Sequence, residues 1–215
     1  MKSPARSLSN PESLPPLPPG FFLKKAVEVA KCLLGKGLLV VQRGRPLLVE
    51  LVEVEAYFQE DPASHSFAGP TKRTWPMFEP GGTCYVYLSY GINFCMNVCT
   101  GPKGRGDAVL FRAARPLLGA ETLGKNRVAA SVRRSKKIPN EKDLLSGPGK
   151  LTQALGIGLR HNGLTFDRDD FKLVDLGHEI PAEKIVRSPR IGITKARDEL
   201  LRFSILDSGW LSRKG

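Results

Sequence analysis

The sequence predicts an α+β protein of one domain, built on a curved, largely antiparallel β-sheet with helices at its flanks. Three observations predict it. Runs rich in β-branched and aromatic residues recur along the chain and outnumber the helical patterns. Two pairs of these runs are joined by short glycine turns, which connect antiparallel neighbours. The chain has 215 residues, 41% of them hydrophobic, enough for a full core within one domain.

The elements follow in order. Residues 1–18 lie in "MKSPARSLSNPESLPPLPPG", rich in Pro and Ser and without an apolar h-region, so a disordered leader is expected there and a single domain over 19–215. In "PGFFLKKAVEVAKCLLGKG" (19–37), Phe22, Ala26, Val27, Ala30, Leu33 and Leu34 recur with a helical period, and Gly35 marks the stop. "GLLVVQRGRPLLVELVEVEAY" (37–57) breaks at Arg43-Gly44-Arg45-Pro46 between two strand-like runs, a hairpin pattern. "TCYVYLSY" (83–90) and "NFCMNVCT" (93–100) flank Gly91 and form a second hairpin, and "DAVLFRAARPL" (107–117) is a further strand. A basic helix, or helix with loop, follows over 119–137. "SGPGKLTQALGI" (146–157) sets a turn and a cap-like serine before a short helix, and "GLTFDRDDFKLVDL" and "RIGITKA…LLRFSI" supply late strands.

Composition narrows the function. No apolar run approaches the roughly 18 to 20 residues that span a bilayer, so no membrane partner is expected. Four cysteines, Cys32, Cys84, Cys95 and Cys99, come without an export signal or a histidine at zinc spacing; reduced core thiols in a cytosolic, metal-free protein are expected. The net charge is +12, and between Gly101 and Lys150 twelve Lys or Arg stand against four acids. Either the run "RRSKK" (133–137) is a solvated loop, or this region is a phosphate-binding surface for a polyanion.

Within this basic chain one strand is acidic. Alternation along 48–61 puts Leu51, Glu53, Glu55 and Tyr57 on one face and Val52, Val54 and Ala56 on a core face. The glutamates are then exposed, paired with surplus arginines, or functional; activating a water as general base is the functional option. Tyr85 and Tyr87 share a face in the second hairpin, with Val86 and Leu88 opposite. Packing explains tyrosines inside a hairpin, but Tyr90 sits at its tip, where an aromatic on a basic protein suits insertion into a stacked duplex.

The blocks "VEVEAY", "DPASHSFAGPTKRTWPMF", "PGGTCYVYLSYGINFCMNVCTG", "AVLFRA" and "SGPGKLTQALGI" resemble, in order and spacing, the alkyladenine (3-methyladenine and hypoxanthine) DNA glycosylases, the family that includes the mammalian enzyme. The similarity runs from about Leu17 to "SPRIGI" (188–193) and "RFSI" (202–205). The resemblance implies a monofunctional base-excision enzyme with no metal or other cofactor, whose protruding hairpin inserts into duplex DNA. It implies that Glu55 activates the water, with Arg112 beside it; that Tyr57, His65 and Tyr87 wall the pocket for the flipped base; and that Asn97 discourages guanine. Tyr90 and Ile92 match the intercalating tip, with Ile92 and Asn93 departing from the family's Met-aromatic pair, and Arg73 and Lys150 match positions near the DNA backbone. A monomer acting on damaged purines in duplex DNA, in the cytoplasm and nucleoid of a prokaryote, completes what the likeness implies.

Other readings are a catalytically inactive or RNA-directed relative of the same fold, and a glycoside hydrolase using Glu53 and Glu55. Retention of Glu55, Tyr57, His65, Tyr87 and Arg112 speaks against the first. Against the second, strand residues two apart lie roughly 6.5–7 Å apart on one side of a substrate, whereas paired acid and base flank the bond.

Overall fold

A computed structural model describes residues 10–131 and 137–213. Nine strands form one curved sheet in which every named strand pair is antiparallel: β1 (Gly37–Gln42), β2 (Arg45–Tyr57), β3 (Cys84–Ser89), β4 (Asn93–Thr100), β5 (Asp107–Leu118), β6 (Asp167–Arg168), β7 (Phe171–Val174), β8 (Ile185–Ser188) and β9 (Arg202–Ile205). The order is β3-β4-β5-β2-β1-β7-β6, with β9 joined to β2 and β8 to β9. The helices are α1 (Pro19–Phe22), α2 (Ala26–Leu33), α3 (Ala120–Ala129) and α4 (Pro148–Ala154). The α+β class expected from the sequence is the observed one.

Strand β2 organises the sheet. Its first half pairs with β1 through a two-residue turn in which Arg43 and Gly44 are both left-handed (φ 50° and 71°), the twist that suits a tight hairpin. Where β1 ends, β9 takes over that edge at Glu53, Val54 and Glu55, while β5 lies along the other. The pairing with β5 shifts register between Leu51 and Glu53 and again between Glu53 and Val54. An irregularity of this kind re-aims side chains. Leu51 therefore joins Val54 and Ala56 in the main core, which corrects the strict alternation expected from residue 51 onward, and Val52 is buried outside that cluster.

The main core lies between one face of the sheet and α2, α3 and α4. Alternation on β3, β4 and β5 sends Cys84, Val86, Met96, Val98, Val109 and Phe111 into it. The intervening residues Tyr85, Cys99 and Ala108 form a smaller cluster with Met77 on the opposite face, with Phe78 and Tyr87 packed against it.

Several expectations need correction. The helix over 19–37 is two, because the Phe22 carbonyl accepts from the Gly101 amide (2.8 Å) and Lys25 is extended (ψ 146°). Ser146 does not cap α4; Gly147 holds that position, and the Ser146 hydroxyl accepts from Lys150 Nζ at 3.0 Å. "RIGITKA" forms a loop, and its neighbour Ile185–Ser188 is the strand. Cys84, Cys95 and Cys99 are buried, but Cys32 is exposed. Of the segment expected to lack structure, residues 1–9 lie outside the described residues. Residues 10–18 pack on the fold, with Pro11 and Leu17 buried and the Leu17 amide donating to the Leu173 carbonyl (2.7 Å). Among the described residues, no helix is long and apolar enough to cross a membrane.

Candidate active site

The face of β3–β5 turned away from the main core borders a cavity of about 690 Å³. Alternation supplies its floor and one wall: Tyr85 and Tyr87 from β3, Cys95 and Asn97 from β4, and Ala108, Leu110 and Arg112 from β5. The connection after β2 adds His65 and Arg73, and the segment 191–195 closes the other side. That connection is fixed by a buried chain in which Ser64 and Ser66 hydroxyls meet at 2.7 Å and Ser66 donates to the Gly106 carbonyl at 2.5 Å. Gly106 is needed there, since a Cβ would lie 2.6 Å from Ser66.

Glu55 is fully buried beneath the cavity. Its Oε1 accepts the Ile191 amide at 2.8 Å and lies 3.2 Å from Arg112 Nη1, and its Oε2 accepts the Tyr57 hydroxyl at 2.8 Å. All three partners line the cavity. Burial, then the adjacent Glu55 charge, pushes the Tyr57 hydroxyl far above its ordinary range, so it stays protonated and donates. Glu53, also fully buried, accepts from Arg112 Nε (3.1 Å), Arg202 Nη1 (3.2 Å) and the Ser212 amide and hydroxyl (2.6 and 2.7 Å). Of the options open for the two glutamates, Glu53 is paired as a structural anchor and Glu55 faces the partners that line the cavity.

The aromatic groups meet. Tyr85 and Tyr87 stack at 5.4 Å between centroids, and His65 sits edge-on to Tyr87 at 4.5 Å, with its Nδ1 3.0 Å from the Tyr85 hydroxyl. Desolvation, then the Arg73 charge, lowers the His65 pKa to about 4, leaving a neutral imidazole at pH 7. Asn97 is buried opposite Tyr85 and donates from Nδ2 to its carbonyl at 3.0 Å. Arg73 folds inward, its guanidinium 5.4 Å from the Tyr87 centroid and 3.3 Å from His65 Nε2. Lys150 stands outside the cavity on α4, within 3.8 Å of Asp143.

At the hairpin tip Tyr90 and Gly91 are both left-handed (φ 50° and 69°), an unfavourable conformation for a tyrosine. It turns the side chain outward: Tyr90 is 88% exposed and Ile92 67%, with Leu88 half-exposed beside them. Leu88, which alternation along the unbroken strand places with Val86, is half-exposed where Val86 is buried.

Among its described residues, the basic stretch does not form one free surface. Lys103, Arg105, Arg112, Arg115, Lys125 and Lys150 each lie within ion-pair distance of a carboxylate, and Arg133, Arg134 and Lys136 fall outside the described residues. Sequence reasoning missed Arg190, Ile191, Arg202 and Ser212 as parts of the site. Tyr85 could have been found, because alternation places it with Tyr87.

Residues 20–209 match the family described as methylpurine-DNA glycosylase. Three curated relatives, each named "Putative 3-methyladenine DNA glycosylase", illustrate the similarity. The protein of Rhodopseudomonas palustris is 44% identical, over 90% of this chain and 86% of its own. That of Nitrosospira multiformis is 41% identical (89% and 91%), and that of Methanoculleus marisnigri 43% identical (92% and 99%).

Proposed function

The chain belongs to the methylpurine-DNA glycosylase family, and from that premise we propose that it turns alkylated or deaminated purines out of duplex DNA and hydrolyses their N-glycosidic bond, with Glu55 activating the water. Base-excision repair of alkylated purines is the activity of the whole chain, since its relatives are covered almost end to end.

The observation that carries the finer reading is the carboxylate of Glu55, buried beneath an aromatic cavity and held by Tyr57, Ile191 and Arg112. A base inside a duplex is out of reach, so it must be extruded at a cost of a few kcal/mol. Tyr57, Tyr87 and His65 offer it stacking surfaces, and Asn97 disfavours a purine carrying the guanine amine. Tyr90, with Ile92, fills the vacated space and opposes the base's return. Lys150, and Arg73 once it leaves Tyr87, serve the DNA backbone.

As the bond from the sugar C1′ to the purine nitrogen breaks, its electron pair leaves with the base and the sugar becomes oxocarbenium-like. Oε2 of Glu55 accepts one hydrogen bond, from Tyr57, and keeps a lone pair for a water. The water oxygen bonds to C1′, its proton passes to Glu55, and the developing positive charge is stabilised by the carboxylate. Arg112 fixes that carboxylate from the opposite side. The product is an abasic site, formed by a monomer without a metal or other cofactor, on prokaryotic chromosomal DNA.

The test is incubation with a duplex oligonucleotide carrying one hypoxanthine, with parallel methylated DNA, and the product scored before and after alkali. The expected result is strand breakage only after alkali. Breakage before alkali would point instead to an amine such as Lys195, which also lines the cavity. Release of no base from either substrate would leave a nucleic-acid-binding relative.

A further inference from the structure

We infer that Arg190 is a specificity-determining residue: buried behind Tyr57, it weakens the attraction of that ring for cationic bases and shifts the preference of the cavity toward neutral ones. The inference rests on the reading of the cavity as the site of a flipped purine.

The Arg190 side chain has no exposed surface, and its guanidinium carbon lies 4.5 Å from the Tyr57 ring centroid. Tyr57 borders the cavity and Arg190 does not, so the ring stands between the two. Nη1 of Arg190 donates to the Ala56 carbonyl at 3.1 Å and to Asp61 Oδ2. Nε and Nη2 are buried without an acceptor among the described residues. Buried N–H groups are rarely left so. The ring face of Tyr57 is the electron-rich surface beside them, and an aromatic face attracts such a cation.

This arrangement has a consequence on the other side of the ring. A purine methylated at a ring nitrogen is a cation, and a tyrosine face attracts it beyond ordinary stacking. A guanidinium already drawing on the same π system reduces that extra attraction and leaves stacking of a neutral purine nearly untouched. Asp61 offsets the charge of Arg190 as a whole, but it is bound at Nη1, while Nε and Nη2 have no hydrogen-bond acceptor among the described residues and the guanidinium lies against the ring. Tyr87 carries a second guanidinium, that of Arg73, at 5.4 Å. Two of the stacking surfaces are thus each paired with an arginine before any base arrives.

The experiment measures single-turnover excision of hypoxanthine, a neutral base, and of 7-methylguanine, a cationic one, from otherwise identical duplexes. The wild type is compared with Arg190→Lys and with the double variant Arg190→Met/Asp61→Asn, which removes the buried pair together. Expressed as cationic over neutral rate, the double variant is expected to rise about threefold over wild type, the size of a modest cation–π contribution, while Arg190→Lys stays near it. A purely structural role would slow both substrates alike and leave the ratio fixed, which would overturn the inference. A ratio that rises equally in Arg190→Lys would overturn it as well. Should the double variant fail to fold, Tyr57→Leu decides: a ratio kept within about twofold supports a ring with little cationic preference left, and a marked fall contradicts it. If wild type releases neither base, the reading of the site itself fails, a result distinct from an unchanged ratio.

Discussion

Glu53 and Glu55 hold two different nitrogens of one guanidinium: Arg112 donates from Nε to Glu53 at 3.1 Å, and its Nη1 lies 3.2 Å from Glu55. Two carboxylates two positions apart on one strand thereby have different surroundings. Glu53 accepts four hydrogen bonds, from Arg112, Arg202 and Ser212, which tie it to the C-terminal segment. Glu55 is left with capacity on Oε2 for a further donor.

Glu53→Gln should therefore destabilise the protein and slow it. Removing the charge leaves Arg202 buried without its carboxylate and Arg112 with Glu55 alone, a loss of about 3 kcal/mol by analogy with broken buried pairs. Arg112 also loses its orientation toward Glu55, and excision should fall about tenfold or more. Thermal denaturation and single-turnover excision check the two effects together; an unchanged Tm would show that the pair is not the anchor described.

Tyr57→Phe keeps the ring and removes the hydroxyl that donates to Glu55 Oε2 at 2.8 Å. A hydrogen bond to a charged group contributes roughly 1.5–3 kcal/mol. Excision should slow by roughly ten- to a hundredfold with affinity for lesion-containing DNA nearly unchanged, since stacking survives. Fluorescence anisotropy beside single-turnover kinetics separates the two readouts.

His65 gives a pH dependence of stability with a defined sign. Its folded pKa, lowered to about 4 from 6.5, means that between these values the unfolded chain binds more protons than the folded one. Its contribution to stability is complete above pH 6.5 and is lost progressively as pH falls toward 4. Tm measured across this window should fall less steeply in His65→Gln than in wild type. Parallel slopes would place the titration elsewhere.

Tyr90→Ala should leave the fold intact, because the side chain is 88% exposed at the hairpin tip. Tm should change by no more than about 0.5 kcal/mol equivalent. Excision from a well-paired duplex lesion should fall, while excision of the same base from a single strand, where no gap needs filling, should not. Equal losses on both substrates would argue against insertion.

The parts of this site that sequence reveals are those governed by strand alternation. Tyr85, Tyr87 and Asn97 share a cavity face because β3 and β4 pair without a bulge. On β2 the same rule misplaces Leu51, because the register shifts at Glu53 depend on how β5 and Arg112 fit beside it. The helix break after Phe22 has a tertiary cause as well, the capture of its carbonyl by Gly101. Arg190, Ile191 and Ser212 reach Tyr57, Glu55 and Glu53 from more than 130 positions away, and no local pattern marks them. The five blocks of family likeness contain Glu55 and Arg112, while the buried partners of those residues required the structure.

The measurement that bears most directly on the central claim is single-turnover excision of hypoxanthine by Glu55→Gln, with duplex binding measured on the same preparation. Glutamine keeps the shape and one acceptor oxygen, which serves either the Ile191 amide or the Tyr57 hydroxyl, and it is no base. The expected result is binding within a few-fold of wild type and excision reduced by about 10²-fold or more. Excision at a rate near that of wild type would contradict the account, because the water would then be activated by another group.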